Sequence, residues 1–184
     1  MKSVAITLAP IALASTVYFI PAHTMDSSNE PKGPWIIIRK KDRILEVFEG
    51  KKLVKTMKIV LGSEPIGNKE IEGDGKTPVG EFYVFTKNPE SRFHLSLGLS
   101  YPSKSDAERG LRANLISNDE FESINKSFEE GGMPLQKTKL GGEIYIHGGG
   151  TDGDWTDGCI ALNNEDITEL FALIPKGARV TILP

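Results

Sequence analysis

Cys159 is the only cysteine in the chain, and His147, one of three histidines, precedes it by twelve positions in HGGGTDGDWTDGCIAL (147–162). A thiol becomes a nucleophile when it ionises, and an imidazole within reach brings this about by taking or pairing with its proton. Gly148, Gly149, Gly150, Gly153 and Gly158 let the intervening backbone fold back tightly, so that the two side chains can return to one place. A glycine directly before the thiol also lets backbone N–H groups face a developing oxyanion. The stretch therefore has the parts of a thiol active site: Cys159 as nucleophile, His147 as base, and an oxyanion site at Gly158.

Blander readings compete with this one. A lone cysteine can be an inert, buried small hydrophobe, and a histidine at a strand end can be structural or simply exposed. A zinc site could be assembled on paper from His94, His147, Cys159 and an aspartate. Their separations match no compact zinc motif, so neither a metal nor any other cofactor is expected.

The elements that must position these residues are mostly strands. WIIIRK (35–40), RILEVFEG (43–50) and LVKTMKIVLG (53–62) read as a meander of hairpins, with a twist or bulge where Val47 and Phe48 break the alternation. Residues 62–80 hold too much Gly and Pro for regular structure and form a long loop. EFYVFT (81–86) and FHLSLGLS (93–100) are strands again. Helices are expected over 104–115 and 117–130, the second opened by a capping box of Ser117 and Glu120. EIYIHG (143–148) is a strand that delivers His147 at its end. Asn163 or Asn164 caps a last helix with Ile167, Leu170, Phe171 and Ile174 on one face. Pro175 and Gly177 stop it before a final strand, ARVTIL. The fold class is mostly β with small peripheral helices.

The chain has 184 residues, 39% hydrophobic and 26% charged, enough to bury one proper core. Its net charge of -3 argues against a nucleic-acid partner. Residues 1–24 are expected to stand apart from the fold. The run from Ser3 to Thr24 is uncharged and long enough to cross a bilayer core of about 30 Å. Lys2 precedes it and Asp26 and Glu30 follow, a bias that favours export of what comes after. It is either a cleaved signal peptide or a membrane anchor. Residues 25–33 read as a linker, and 34–184 as the folded domain, expected to be a monomer.

HG…TDGCIAL resembles the motif of the L,D-transpeptidase catalytic domain (YkuD) family, in which His-Gly precedes a Ser/Thr-x-Gly-Cys. GDGKTPVGEFYV (73–84) and SRFHLSLGLSYP (91–102) resemble further segments of that family, so the likeness runs over about residues 35 to 183. The resemblance implies a β-sandwich-like domain with a mixed sheet and the cysteine on a loop beside it. It implies a cysteine acyl transferase acting on peptidoglycan stem peptides, as donor and acceptor, in the cell envelope or periplasm. Cys159 would form the acyl-enzyme, His147 would move protons, and the Gly158 and Cys159 N–H groups would hold the oxyanion. Thr156 and Gly148 would line the site, and a backbone carbonyl would hold the second nitrogen of His147.

Two further residues stay open. His94 is a substrate contact if its strand face lines the cleft, and a surface histidine otherwise. Trp155 either stacks on substrate or anchors its own loop. Many family members carry Arg two residues after the cysteine, where this chain has Ala161, and Arg92 or Arg112 could compensate. The outcome is accordingly open between cross-linking or amine attachment and hydrolysis by an L,D-carboxypeptidase. A cysteine endopeptidase of the NlpC/P60 type places cysteine before histidine, the reverse of the order here. A wall-binding module with a decayed site is the non-enzymatic alternative.

Overall fold

The computed structural model describes residues 33–184. The expected signal or anchor over 1–24, and all of the expected linker but Gly33, lie outside the described residues. No helix among the described residues is long and apolar enough to cross a membrane.

Three strands open the domain as the expected meander: β1 (Pro34–Arg39), β2 (Ile44–Glu49) and β3 (Lys52–Lys58). The β2–β3 register shifts between Val47 and Phe48, the place where the sequence alternation breaks. After the loop of 62–80 come β4 (Gly80–Ser91) and β5 (His94–Leu99). Helices α1 (Lys104–Arg112) and α2 (Asn118–Glu130) follow, then β6 (Tyr145–His147), β7 (Ile160–Ala161), α3 (Asn164–Leu173) and β8 (Arg179–Leu183). The eight strands form one mixed sheet in the order β3-β2-β1-β8-β4-β5-β6-β7.

Period-two alternation builds the core directly. The register aligns Val47, Ile36, Val180 and Phe82 in one row across four strands, and Met57, Leu45, Ile38 and Ile182 in the next. All eight are buried. The sheet then curls on itself. Val60, just past β3, exchanges two backbone hydrogen bonds of 2.9 Å with Ala161 on β7, at the opposite end of the strand order. That closure brings the end of the meander against the cysteine.

The helices sit outside this core. Asn163 caps α3 by accepting from the Asp166 N–H, and Ile167 and Leu170 are buried. Ser117 and Glu120 form the reciprocal capping box that starts α2. With α1, α2 encloses a small second core of Ala107, Ile116, Ile124 and Leu140. The Tyr83 hydroxyl ties this arm to the sheet by donating to the carbonyls of Ser127 and Gly132. The arm matters because the chain that returns from it, 133–144, runs along one wall of the cleft described next.

Candidate active site

Strands β6 and β7 are parallel neighbours, with Ile146 opposite Ile160 and His147 opposite Ala161. Continuing that register by one residue sets Tyr145 opposite Cys159. Since side chains alternate along a strand, His147 and Cys159 share one face, two positions apart. Both line a cleft of about 890 Å³, together with Lys69, Arg92, Phe93, Gln136, Glu143, Trp155 and Thr156.

The Cys159 thiol is held from two sides. Its Sγ accepts from the Tyr145 N–H at 3.4 Å and donates to the Glu143 carbonyl at 3.4 Å. Glu143 has φ 54°, a left-handed conformation that costs a non-glycine residue on the order of 1 kcal/mol. Its N–H donates to the Gln136 side chain at 2.6 Å, which fixes that turn. Burial pushes the thiol pKa up to about 11. The Tyr145 N–H opposes the rise, Asp157 adds to it, Lys69 opposes it and Glu143 adds to it. The resting group is therefore a neutral thiol parked on a carbonyl.

His147 is buried, and its Nδ1 lies 2.6 Å from the Gly148 carbonyl. A carbonyl only accepts, so Nδ1 carries the hydrogen and Nε2 keeps its lone pair. Burial lowers the imidazole pKa, the Gly148 carbonyl raises it in part, and Arg92 lowers it further, leaving it below the usual 6.5. Phe93 stacks on the ring at 4.6 Å and Trp155 meets it edge-on at 5.6 Å. Base and thiol are thus both neutral at pH 7, and the ring can accept a proton.

The loop between them is pinned at several points. Asp154 receives a forked ion pair from Arg43, with Nη2 at 2.6 Å, and also accepts from the Leu61 N–H at 2.8 Å. Thr156 Oγ1 donates to the Cys159 carbonyl at 2.8 Å and accepts from the Gly158 N–H at 3.2 Å. Thr77 reaches the same carbonyl at 3.5 Å while accepting from the Gly62 N–H at 3.0 Å. Gly158 has φ +128°, and a Cβ there would stand 2.7 Å from the Lys76 carbonyl. Only glycine fits between the cysteine and the 62–80 loop.

The L,D-transpeptidase catalytic domain (YkuD) model matches residues 33–182. The chain belongs to that family. Among solved structures it is similar to the helical cell shape determining protein Pgp2 from Campylobacter jejuni, at 27% identity and TM-score 0.58, over 82% of this chain and 47% of that one. Bd1075 from Bdellovibrio bacteriovorus is 20% identical with TM-score 0.54, over 86% of this chain and 50% of that one. The L,D-transpeptidase (Yku) from Stackebrandtia nassauensis shares the fold at 13% identity and TM-score 0.50, over 88% and 62%. The chain thus spans about half the length of the first two structures. No curated protein matches the sequence.

Within this L,D-transpeptidase-family domain the expected site residues separate into two groups. Cys159, His147, Thr156 and Trp155 meet at the cleft. Trp155 anchors its own loop, donating to the Gly150 carbonyl at 3.3 Å, and its ring meets His147 edge-on at the cleft. His94 lies elsewhere: its Nε2 is 3.0 Å from Thr168 Oγ1 on α3, and Phe93 takes the cleft position instead. Gly148 packs against Asn164 and the Phe93 carbonyl, where a Cβ would come within 2.7 Å, and serves through its carbonyl on His147. The Gly158 N–H is engaged by Thr156, which leaves the Cys159 N–H, unpaired among the described residues, as the donor for an oxyanion. Among those residues, no group of three or more His, Cys, Asp and Glu converges as a metal site would.

Proposed function

We propose that the chain is a cysteine L,D-transpeptidase-type acyl transferase acting on peptidoglycan stem peptides. The observation that carries this reading is His147 at the end of β6 and Cys159 just ahead of β7 lining one cleft, with the His147 tautomer set to accept a proton.

The thiol swings from the Glu143 carbonyl to His147 Nε2, which takes its proton as Sγ attacks the peptide carbonyl. The N–H of Cys159 donates to the resulting oxyanion. Collapse breaks the C–N bond, and the imidazolium returns its proton to the departing amine. A thioester remains. An acceptor amine, losing its proton to His147, attacks that thioester and releases the product with the thiol restored. Water can follow the same route. The hydrolytic outcome, an L,D-carboxypeptidase, differs only in which nucleophile reaches the thioester.

Mass spectrometry of the purified protein with a disaccharide-tetrapeptide, with and without an amine acceptor, tests the proposal. A covalent adduct on Cys159 and loss of the terminal residue are expected, undiminished by EDTA. Amine-dependent product identifies transfer, and a shortened peptide alone identifies hydrolysis. No adduct and no product would overturn the reading.

The substrate lies outside the cytoplasm, so we place the domain in the cell envelope, tethered by residues 1–24 or released from them. The likeness to Pgp2 supports a role in cell-wall biogenesis and cell shape. A reporter active only outside the cytoplasm, fused after Pro184, is expected to be active. A reporter active only inside, giving signal at that position, would refute export.

A further inference from the structure

Ala161 leaves a gap that the rest of the cleft answers. It is fully buried on β7 directly opposite His147, so no guanidinium projects from that position. Of the two arginines that could stand in, Arg112 is exposed on α1 beside Glu108 and does not line the cleft. Arg92 does line it, and its guanidinium lies 4.7 Å over the ring of Phe93, which itself stacks on His147. Among the described residues no carboxylate lies within ion-pair distance of Arg92, whereas Arg43, Lys69 and Arg109 are paired with Asp154, Asp74 and Asp106.

The chemistry of the departing group says what such a cation meets. When the terminal amino acid of a stem peptide leaves, its amine receives the proton held by His147. That amine and the free carboxylate of the same residue are attached to one carbon. Whatever cation adjoins His147 therefore adjoins the carboxylate. Lys137 and Lys139 also line the cleft, on the segment whose Lys139 carbonyl accepts from the Glu72 N–H, and neither packs on the ring stack at His147. Among the cations lining the cleft, Arg92 is the one packed on the Phe93 ring that stacks on His147, and its planar fork matches a carboxylate.

Resting on the proposed function, we infer that Arg92 is the specificity-determining residue that reads the free terminal carboxylate of the donor peptide, in place of the arginine absent at Ala161. Arg92 restricts attack to the peptide bond one residue from a free C-terminus. It acts before the branch between transfer and hydrolysis, because both outcomes expel the same amino acid. Stacking on Phe93 holds the guanidinium in place without an acidic partner that substrate would have to displace.

The test compares a stem tetrapeptide ending in a carboxylate with the same peptide ending in a carboxamide, measuring kcat/KM with the full chain. The wild type is expected to prefer the carboxylate by about ten- to a hundredfold, the range of a hydrogen-bonded charge pair. Arg92→Ala should lose that factor on the carboxylate and far less on the amide, so that the preference disappears. Arg92→Lys should recover part of it. A preference that survives Arg92→Ala, or an equal loss on both peptides, overturns the inference, as does a wild type that turns over both equally. A wild type that turns over neither refutes the proposed function itself and takes the inference with it.

Discussion

Replacing Cys159 by alanine is expected to abolish turnover, adduct formation and thiol labelling together, while leaving the fold intact. The chain has one cysteine, so no other thiol can supply residual signal. The structural cost is small. Sγ makes two contacts of 3.4 Å with the Tyr145 N–H and the Glu143 carbonyl, both at the edge of an open cleft. Water can satisfy those groups in the variant, so the stability change should stay within about 1 kcal/mol. The neighbouring ladder of Ile146 with Ile160 does not involve the side chain. Activity in the alanine variant would remove Cys159 from the mechanism. Unfolding of the variant, read by circular dichroism, would instead show that the thiol is a packing group.

The wild-type labelling rate adds a sharper requirement. With the thiol pushed up to about 11 by burial, only about one molecule in ten thousand is a thiolate at pH 7. Alkylation of the free protein by iodoacetamide should be slow there and should climb about tenfold per pH unit. Fast labelling at pH 6 would mean a thiolate–imidazolium pair already formed, and the neutral resting state described above would be wrong.

The parts of the site that were legible in the sequence are those fixed by short-range geometry. HGGGTDGDWTDGCIAL brings its own ends together, and the structure places both ends on adjacent strands. Ser117 with Glu120, and Asn163 ahead of Glu165 and Asp166, announce helix starts through local hydrogen bonds, and both helices begin there. What the sequence conceals is contact across distance. Nothing local links Arg43 to Asp154, 111 residues away, yet that pair pins the glycine loop. The two-residue strand β7 has no periodicity to read and exists because Val60 pairs with it from one side and β6 from the other.

His94 shows why an alternation argument can misplace a face. Strict alternation through FHLSLGLS sets Phe93 with Leu95, Leu97 and Leu99, opposite His94. The backbone at His94 has φ 75°, so the residue belongs to a turn as much as to a strand, and alternation restarts after it. Phe93 is thereby turned onto His147 and His94 toward α3. From Ser96 to Leu99 the strand is buried on both faces, so burial carries no alternation to correct the error. Similarly β4 continues to Ser91, five residues beyond EFYVFT, because pairing with β5 carries it through Pro89 despite the weak local propensity. The helix expected over 104–115 ends at Arg112, where Ala113 and Asn114 bond back to Arg109 and Leu111 and close the turn.

His147→Ala should lower kcat/KM by about two to four orders of magnitude, the usual contribution of a positioned general base. Its pH profile should change shape as well as height. In the wild type the imidazole pKa lies below 6.5, chiefly through burial, with the Gly148 carbonyl opposing and Arg92 reinforcing the shift. A depressed pKa means that the neutral, proton-accepting form persists to lower pH than in a free histidine. The acid limb of kcat/KM is therefore expected below pH 6.5, with a plateau through neutrality. The same shift acts on stability: as pH falls past 6.5 the unfolded chain takes up a proton that the folded chain resists, so folding weakens toward acid. Without the imidazole, only thiolate already present can attack. The residual rate of His147→Ala should then lose its acid limb and rise about tenfold per pH unit toward 11, following ionisation of Cys159. Trp155 and Phe93 remain in the variant, so the cleft keeps its walls and substrate affinity should change far less than the rate. A variant that kept a flat profile near neutrality at nearly the wild-type rate would mean that another group accepts the thiol proton, a role for which His94 would have to leave Thr168 on α3 and enter the cleft it does not line.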